Sequence, residues 1–214
     1  VDICRQIDTV PYPLSTPAEL SDLVDEVRSA GGQIMGREAD VRRPETFTKA
    51  LDEAEEEFGP LFGVVANAGI APMVHGRPNA WQDVIDVNLT GVYHTVEACI
   101  PRLTRARSGG AIVIVGSSPG GLGYAATKHG VVGLMRTYAN NLAEHWIRVN
   151  SVHPTGVATR MTTDEAILEF VATDPMLSHE QPNALPVAVV EPVDVSNAIL
   201  WLLSGEARYV TGVT

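Results

Sequence analysis

The sequence is poor in cysteine, in positive charge and in long apolar runs. Cys4 and Cys99 are its only cysteines. Two are too few for a disulfide framework, and neither stands at a metal-ligand spacing, so a stapled secreted scaffold is excluded and a reducing, cytoplasmic setting is expected. Fifteen Lys and Arg stand against 26 Asp and Glu, a net charge of -11. Such an acidic chain is a poor general binder of nucleic acid or anionic membrane. No run reaches the ~18 apolar residues of a membrane span. The opening VDICRQIDTV has no basic segment leading into an apolar core, so no signal peptide is expected. With 45% hydrophobic and 19% charged residues the composition is globular, which excludes a disordered or collagen-like chain. A length of 214 residues fits one domain, read as residues 1–214.

Strands and helices alternate along the chain. Val1-Asp2-Ile3 reads as a strand end, followed by a proline-containing connector from Asp8 to Ser15. Thr16-Pro17-Ala18-Glu19 predicts a helix start, with Thr16 as cap, Pro17 at the first helical position and Glu19 completing a capping box. Leu20, Leu23, Val24 and Val27 form its apolar stripe, and Gly31-Gly32 stops it. A strand is predicted over Gln33–Ala39, ending at Asp40, and a helix over Pro44–Phe58. Leu61–Ala66, Ala111–Val115 and Arg148–Val152 are continuous apolar strands. Helices are predicted over Asn79–Thr104, Tyr124–Trp146 and from Glu191-Pro192 through Leu203, and a strand begins at Tyr209–Thr214. Continuous apolar strands separated by helices predict an α/β fold: a doubly wound, Rossmann-like parallel sheet with helices on both faces.

In such a sheet ligands bind outside the carboxyl ends of the strands. Asp2, Asp40, Asn67, Ser117-Ser118 and Pro154-Thr155-Gly156 all fall there. Tyr124 and Lys128 lie at i,i+4 and share one helix face. A phenol has a pKa near 10, too high for ready proton exchange at neutral pH. A neighbouring ammonium favours the phenolate, which makes Tyr124 a usable general acid/base. Read alone, the pair is equally an amphipathic surface pair. His129 and His153 lack a second ligand at zinc spacing and are read as structural, so no metal site is expected.

The order of these motifs resembles the short-chain dehydrogenase/reductase family over essentially the whole chain. It runs Asn67-Ala68-Gly69, Asp86-Val87-Asn88, Ser118, Tyr124 with Lys128, then Pro154-Thr155-Gly156-Val157-Ala158-Thr159. The opening Asp2-Ile3-Cys4-Arg5-Gln6, the stretch Pro11-Tyr12-Pro13-Leu14 and the end Val210-Thr211-Gly212-Val213-Thr214 resemble its carveol-dehydrogenase-like branch, which is associated with the redox cofactor mycofactocin. The resemblance implies that Tyr124 exchanges the proton of the substrate oxygen and that Ser118 donates a hydrogen bond to that oxygen. It implies that Lys128 binds the nicotinamide ribose and depresses the Tyr124 pKa, and that Asn88 holds a proton-passing water.

Asp2, with Ile3 beside it, would accept from the adenosine ribose hydroxyls and repel a 2′-phosphate, selecting NAD over NADP. Arg5, three residues on, keeps NADP as a minority reading. Asp40 and Val41 would touch the adenine, and Asn67, Ala68 and Gly69 the adenosine ribose. Pro154, Thr155, Gly156, Val157 and Thr159 would meet the carboxamide and pyrophosphate, with Thr155 standing where the family usually has Gly.

The expected activity is NAD-dependent interconversion of a secondary alcohol and a ketone on a small apolar, carveol-like substrate. A lid over about residues 160–190 carries Met161, Ile167, Leu168, Phe170, Met176 and Leu177. Whether the NAD exchanges stays open. The alternatives are an inactive nucleotide-binding paralogue and an ordinary dehydrogenase with freely exchanging NAD. A homotetramer is expected, because Val131, Val132, Leu134, Met135, Tyr138, Leu142 and Trp146 are more apolar positions than one sheet-facing stripe holds. The family's first strand and Gly-x-x-x-Gly-x-Gly turn would precede Asp2. The family also has a longer loop than the six positions from Ser118 to Tyr124. These departures are read as stretches left out of the 214 residues rather than true deletions, with an intact mass well above 22.9 kDa expected.

Overall fold

The apolar runs pair with one another as the pattern requires. The computed structural model describes residues 1–72, 77–117, 121–173 and 185–214. Within them β1 (Gly63–Ala66), β2 (Gly110–Val115) and β3 (Ile147–Val152) form a parallel sheet in the order β1-β2-β3. Val64 stands opposite Ile112, and Val113 opposite Asn150. Every β2 residue is buried, which is why this strand reads as an unbroken apolar run.

Helices α1 (Pro17–Ser29) and α2 (Pro44–Phe58) both open on proline. In α1 the Thr16 hydroxyl accepts the Glu19 N–H while the Glu19 carboxylate accepts the Thr16 N–H, the predicted capping box. Helices α3 (Ala80–Ile85) and α4 (Gly91–Ala106) precede β2, and α5 (Leu122–Asn141) follows it. Val92, Val96 and Leu103 of α4 and Val131 and Met135 of α5 share one core with Ile112, Ile114 and Val149. Ala111 and Val113 point to the opposite face by the two-residue period of a strand. Helix α8 (Pro192–Leu203) packs on β2 and β3. Two short helices, α6 (Arg160–Thr163) and α7 (Glu165–Thr173), follow β3, with Arg160 paired to Glu19 of α1.

Four expectations change. The single helix over Asn79–Thr104 is broken between α3 and α4 by a wider π turn at Asp86–Thr90. The helix predicted to Trp146 ends at Asn141, followed by a 3₁₀ turn at Ala143–His145. Gln33–Ala39 is not a strand: Asp2 N–H donates to Arg37 O at 3.2 Å and Ala39 N–H to Asp2 O at 2.9 Å, and the ladder stops there. The chain end runs along β3 through Gly212 N–H to Val149 O (2.8 Å) and Ser151 N–H to Val213 O (3.0 Å) without forming a named strand.

On its other edge β1 has no strand partner among the described residues. It borders a cavity lined by Phe47, Leu51 and Phe58 of α2 and by Val195 and Ile199 of α8, which Asp2 also borders. Between β1 and the Asp2–Glu38 bridge the described sheet is therefore interrupted. No described helix is long and apolar enough to cross a membrane.

Ile112 is fully buried at the centre of the sheet. Ile112→Ala should destabilise the protein by about 2–5 kcal/mol, read as a lowered urea midpoint at unchanged slope. A loss well under this would show that the core collapses around the gap.

Candidate active site

The carboxyl end of β2 delivers the first groups of the site. Val115 O accepts from Lys128 Nζ at 2.7 Å, and two residues on, Ser117 lines the same cavity as Tyr124, with its side chain near enough to the phenol to favour the phenolate. Tyr124 stands in the first turn of α5 and Lys128 one turn later, on one face, as their spacing requires. Burial pushes the Tyr124 phenol up, with the nearby Ser117 side chain opposing it. Burial pulls Lys128 down to about 8. The expected depression of Tyr124 by Lys128 does not appear. The ammonium lies 5.6 Å from the centroid of the Tyr124 ring and is directed at the Val115 carbonyl. Its other two donors have no acceptor among the described residues, although only 5% of the residue is exposed.

Asn88 sits inside the π turn and is fully buried. Its Oδ1 accepts the Ile70 N–H and its Nδ2 donates to the Ile70 carbonyl, both at 2.8 Å. The amide thus clamps the loop after β1 and keeps one N–H and one lone pair for another partner. A Cβ on Gly69 would lie 3.5 Å from both Asn88 Oδ1 and Lys128 Nζ. The Asn67–Gly69 backbone therefore passes directly beneath these two groups.

The wall facing Tyr124 comes from the connector after Asp2, which the proline pattern marks only as a link. Gln6 folds it: Nε2 donates to the carbonyls of Ile7, Val10 and Tyr12 at 3.3, 3.0 and 3.1 Å, and Oε1 accepts the Leu14 N–H at 3.0 Å. Buried Tyr12 accepts the Ala71 N–H on its phenol oxygen at 3.0 Å. Burial, with a contribution from the negative charge of an ionised Tyr124, pushes the Tyr12 phenol up to about 12. Ile7, Val10, Tyr12, Ile70, Ala71, Val87 and Ile167 form an apolar cluster against which Tyr124 and Met161 pack.

At the far end Asp2 Oδ1 accepts the Cys4 N–H at 2.8 Å. Asp40 takes a two-point contact from Arg42, at 3.0 and 2.7 Å. Burial alone would raise the Asp40 pKa, but the Arg42 hydrogen bonds and the charges of Arg42 and Arg5 hold it below the usual range. Arg5 Nη2 lies 3.7 Å from Asp40 Oδ2, so this cation is directed at Asp40.

Fourteen residues expected to hold a dinucleotide — Asp2, Ile3, Asp40, Val41, Asn67, Ala68, Gly69, Tyr124, Lys128, Pro154, Thr155, Gly156, Val157 and Thr159 — all line one cavity of about 1780 Å³. The unaccepted donors of buried Lys128, opening onto this space, fit sugar hydroxyls. The loop at Pro154–Thr159 is held by Ala158 N–H to Val190 O and Val190 N–H to Gly156 O, both at 2.9 Å. Ser118 lies outside the described residues, as do residues 174–184 of the expected lid. Ser117 was placed at the cleft from sequence but given no role, and Tyr12 and Gln6 were given none in the site. Ser117 had a signal in the Ser-Ser pair; for the other two it was only a tyrosine between prolines beside a polar residue. His129 Nδ1 pairs with Ala125 O at 2.9 Å, a bond within its own helix. Among the described residues no group of His, Cys, Asp or Glu could hold a metal.

This fold, with a Tyr-x-x-x-Lys pair at the end of a buried central strand, defines a class: the chain belongs to the short-chain dehydrogenase/reductase family and is an oxidoreductase. Residues 14–214 match the family described as enoyl-(acyl carrier protein) reductase. Within it, an uncharacterized oxidoreductase of Mycobacterium tuberculosis is 54% identical, over 100% of this chain and 82% of its own length. That alignment spans 225 positions against 214 residues here, so the relative carries residues inside the matched span that this chain lacks. A (-)-trans-carveol dehydrogenase of Rhodococcus erythropolis is 42% identical, over 99% of this chain and 83% of its own. The crystal structure of a carveol dehydrogenase from Mycobacterium avium, in complex with NAD, superposes with a TM-score of 0.90 at 41% identity, over 99% of this chain and 83% of that one.

Lys128 moves from 10.5 when unfolded to about 8 when folded. The folded state therefore loses this proton first. The cost of burying the ammonium is present in full below pH 8 and is relieved as pH rises toward 10.5. Against Lys128→Met, the ligand-free protein should gain relative stability across that window, measured as urea midpoints of both proteins at each end of it. A difference that stays constant with pH would show that the ammonium is not desolvated.

Proposed function

We propose that the protein is an NAD-dependent dehydrogenase that interconverts a secondary alcohol and a ketone on a small apolar substrate. One observation carries this reading: Tyr124 and Lys128 line the same cavity as every residue expected to bind the dinucleotide. When bound, NAD supplies the hydride acceptor for oxidation and, reduced, the donor for the reverse reaction. Tyr124 removes the hydroxyl proton in one direction and returns it in the other. Its buried phenol is protonated at neutral pH, which suits it to donate. Lys128 takes the nicotinamide ribose with the donors left over from Val115. Ser118 donates to the substrate oxygen, and the remaining N–H and lone pair of Asn88 hold the water that carries the proton onward.

Asp2 meets the adenosine ribose and disfavours a 2′-phosphate. Engagement of Arg5 by Asp40 removes the cation that would have welcomed one. The cluster of Ile7, Val10, Met161 and Ile167 beside Tyr124 favours an apolar, carveol-like alcohol, with the segment from about residue 160 to 190 as its lid. The branch resemblance adds mycofactocin as redox partner. Both cysteines are free and buried, in keeping with a reducing cytoplasm.

We further propose a homotetramer built on the outer faces of α4 and α5. Val131, Met135, Tyr138 and Leu142 are covered within the chain, so the apolar surplus is smaller than their count implied. A shallow groove of Leu89, Tyr93, Gly130, Gly133 and Leu134 remains, and it suits a second copy of the same helices. Light scattering at micromolar concentration should give a tetramer; a monomer would remove this interface.

Turnover is best followed with carveol as probe, using both free NAD and an artificial electron acceptor, so that a non-exchanging cofactor is not mistaken for inactivity. Tyr124→Phe should lose about 10²–10⁴-fold in rate while binding NAD with little change. Wild-type turnover by this variant would end the proton-transfer assignment. NAD binding without turnover by the unmodified protein would favour the inactive paralogue.

A further inference from the structure

His153 follows β3 directly and reaches across to the end of β2. Its Nδ1 lies 3.2 Å from the Ser117 carbonyl oxygen and its Nε2 2.8 Å from Ser151 Oγ. A carbonyl only accepts, so Nδ1 carries the hydrogen. In the neutral ring Nε2 then accepts from the buried Ser151 hydroxyl, and one tautomer is selected. The ring also packs closely on Gly116: a Cβ there would come within 2.3 Å of the imidazole. Gly116 is thus the residue that lets the ring approach.

Among the described residues no other hydrogen bond reaches the Ser117 backbone. β2 ends at Val115, Gly116 N–H is held by Val152 O at 2.8 Å, and Ser117 stands beyond the sheet. Ser117 nonetheless lines the cavity together with Tyr124, and its side chain acts on the phenol. A residue past the end of its strand, with a single tether, depends on that tether for the direction of its side chain.

We propose that His153 is a positioning residue for proton transfer: by gripping the Ser117 carbonyl it sets the Ser117 side chain against Tyr124. It touches neither substrate nor cofactor. This rests on Tyr124 being the proton donor. The cofactor loop is anchored separately, through Val190 to Gly156 and Ala158. Loss of the His153 tether therefore acts on the rate and not on dinucleotide binding.

Three variants separate the two arms of the ring. Asn places an amide N–H where Nδ1–H stands and keeps the Ser117 bond; Gln reaches toward Ser151 instead; Leu keeps neither. His153→Leu and His153→Gln should lower kcat about 10- to 100-fold, the scale of a misplaced catalytic group. KM for the alcohol and NAD affinity, measured by fluorescence titration, should stay within about threefold, and His153→Asn should recover kcat to within about threefold of wild type. Thermal melting of all three, with Tyr124→Phe as the reference for lost proton transfer, completes the set. The proposal is overturned if Leu and Gln turn over like wild type while Tyr124→Phe does not. It is equally overturned if Asn fails to rescue, or if the rate losses follow the melting temperatures or the NAD affinities. Full activity of Tyr124→Phe would instead remove the reading on which it rests.

Discussion

The position of the carboxyl end of β2 governs the rest of the cleft. Val115 accepts the Lys128 ammonium, Gly116 is held by β3 and carries the His153 ring, and Ser117 meets Tyr124. None of these contacts could be made if the strand moved by one residue, since a single slip exchanges the two faces of a strand. The register is in turn fixed by Ile112 and Ile114, fully buried among α4, α5 and the neighbouring strands. The placement of the proton donor is thus inherited from hydrophobic packing more than a helical turn away.

An acidic chain that binds an anionic dinucleotide must resolve a conflict of sign. The net charge is -11, and only two of the fifteen basic residues are lysines, Lys49 and Lys128. One of those two is buried at the centre of the cavity, where low polarity strengthens its interactions and also lowers its proton affinity. Arg42 and Arg5 neutralise Asp40 at the other end. Inside the cleft the positive charge is thus supplied at one enclosed point, Lys128, while the carboxylate at the other end is neutralised.

Features set by neighbours in sequence were legible in it. The Thr16–Glu19 box closes within one turn, the Tyr124–Lys128 spacing is one turn long, and the unbroken apolar run at Ala111–Val115 can only be a strand covered on both sides. Features that depend on distant partners were not. Gln33–Ala39 has strand composition, yet pairing at Asp2 alone does not sustain a ladder. The Gln6 and Tyr12 contacts join the connector to itself and to Ala71, and no periodicity announces them. His153, read as structural for want of a metal partner, is bonded to a carbonyl and a hydroxyl, partners that no ligand spacing reveals.

The π turn at Asp86–Thr90 makes length, as well as composition, part of the information in this helix. Each residue advances an α-helix by about 100°, and a π turn holds one residue more than the regular winding would. Val84 of α3 and Val92 and Val96 of α4 are all buried because the turn takes up that extra residue between them. A one-residue deletion in the turn would restore a regular helix and leave its two halves in phase, so the core faces would survive while the bulge that presents Asn88 to Ile70 would go. A single change of length at this point would thus separate the integrity of the fold from that of the site.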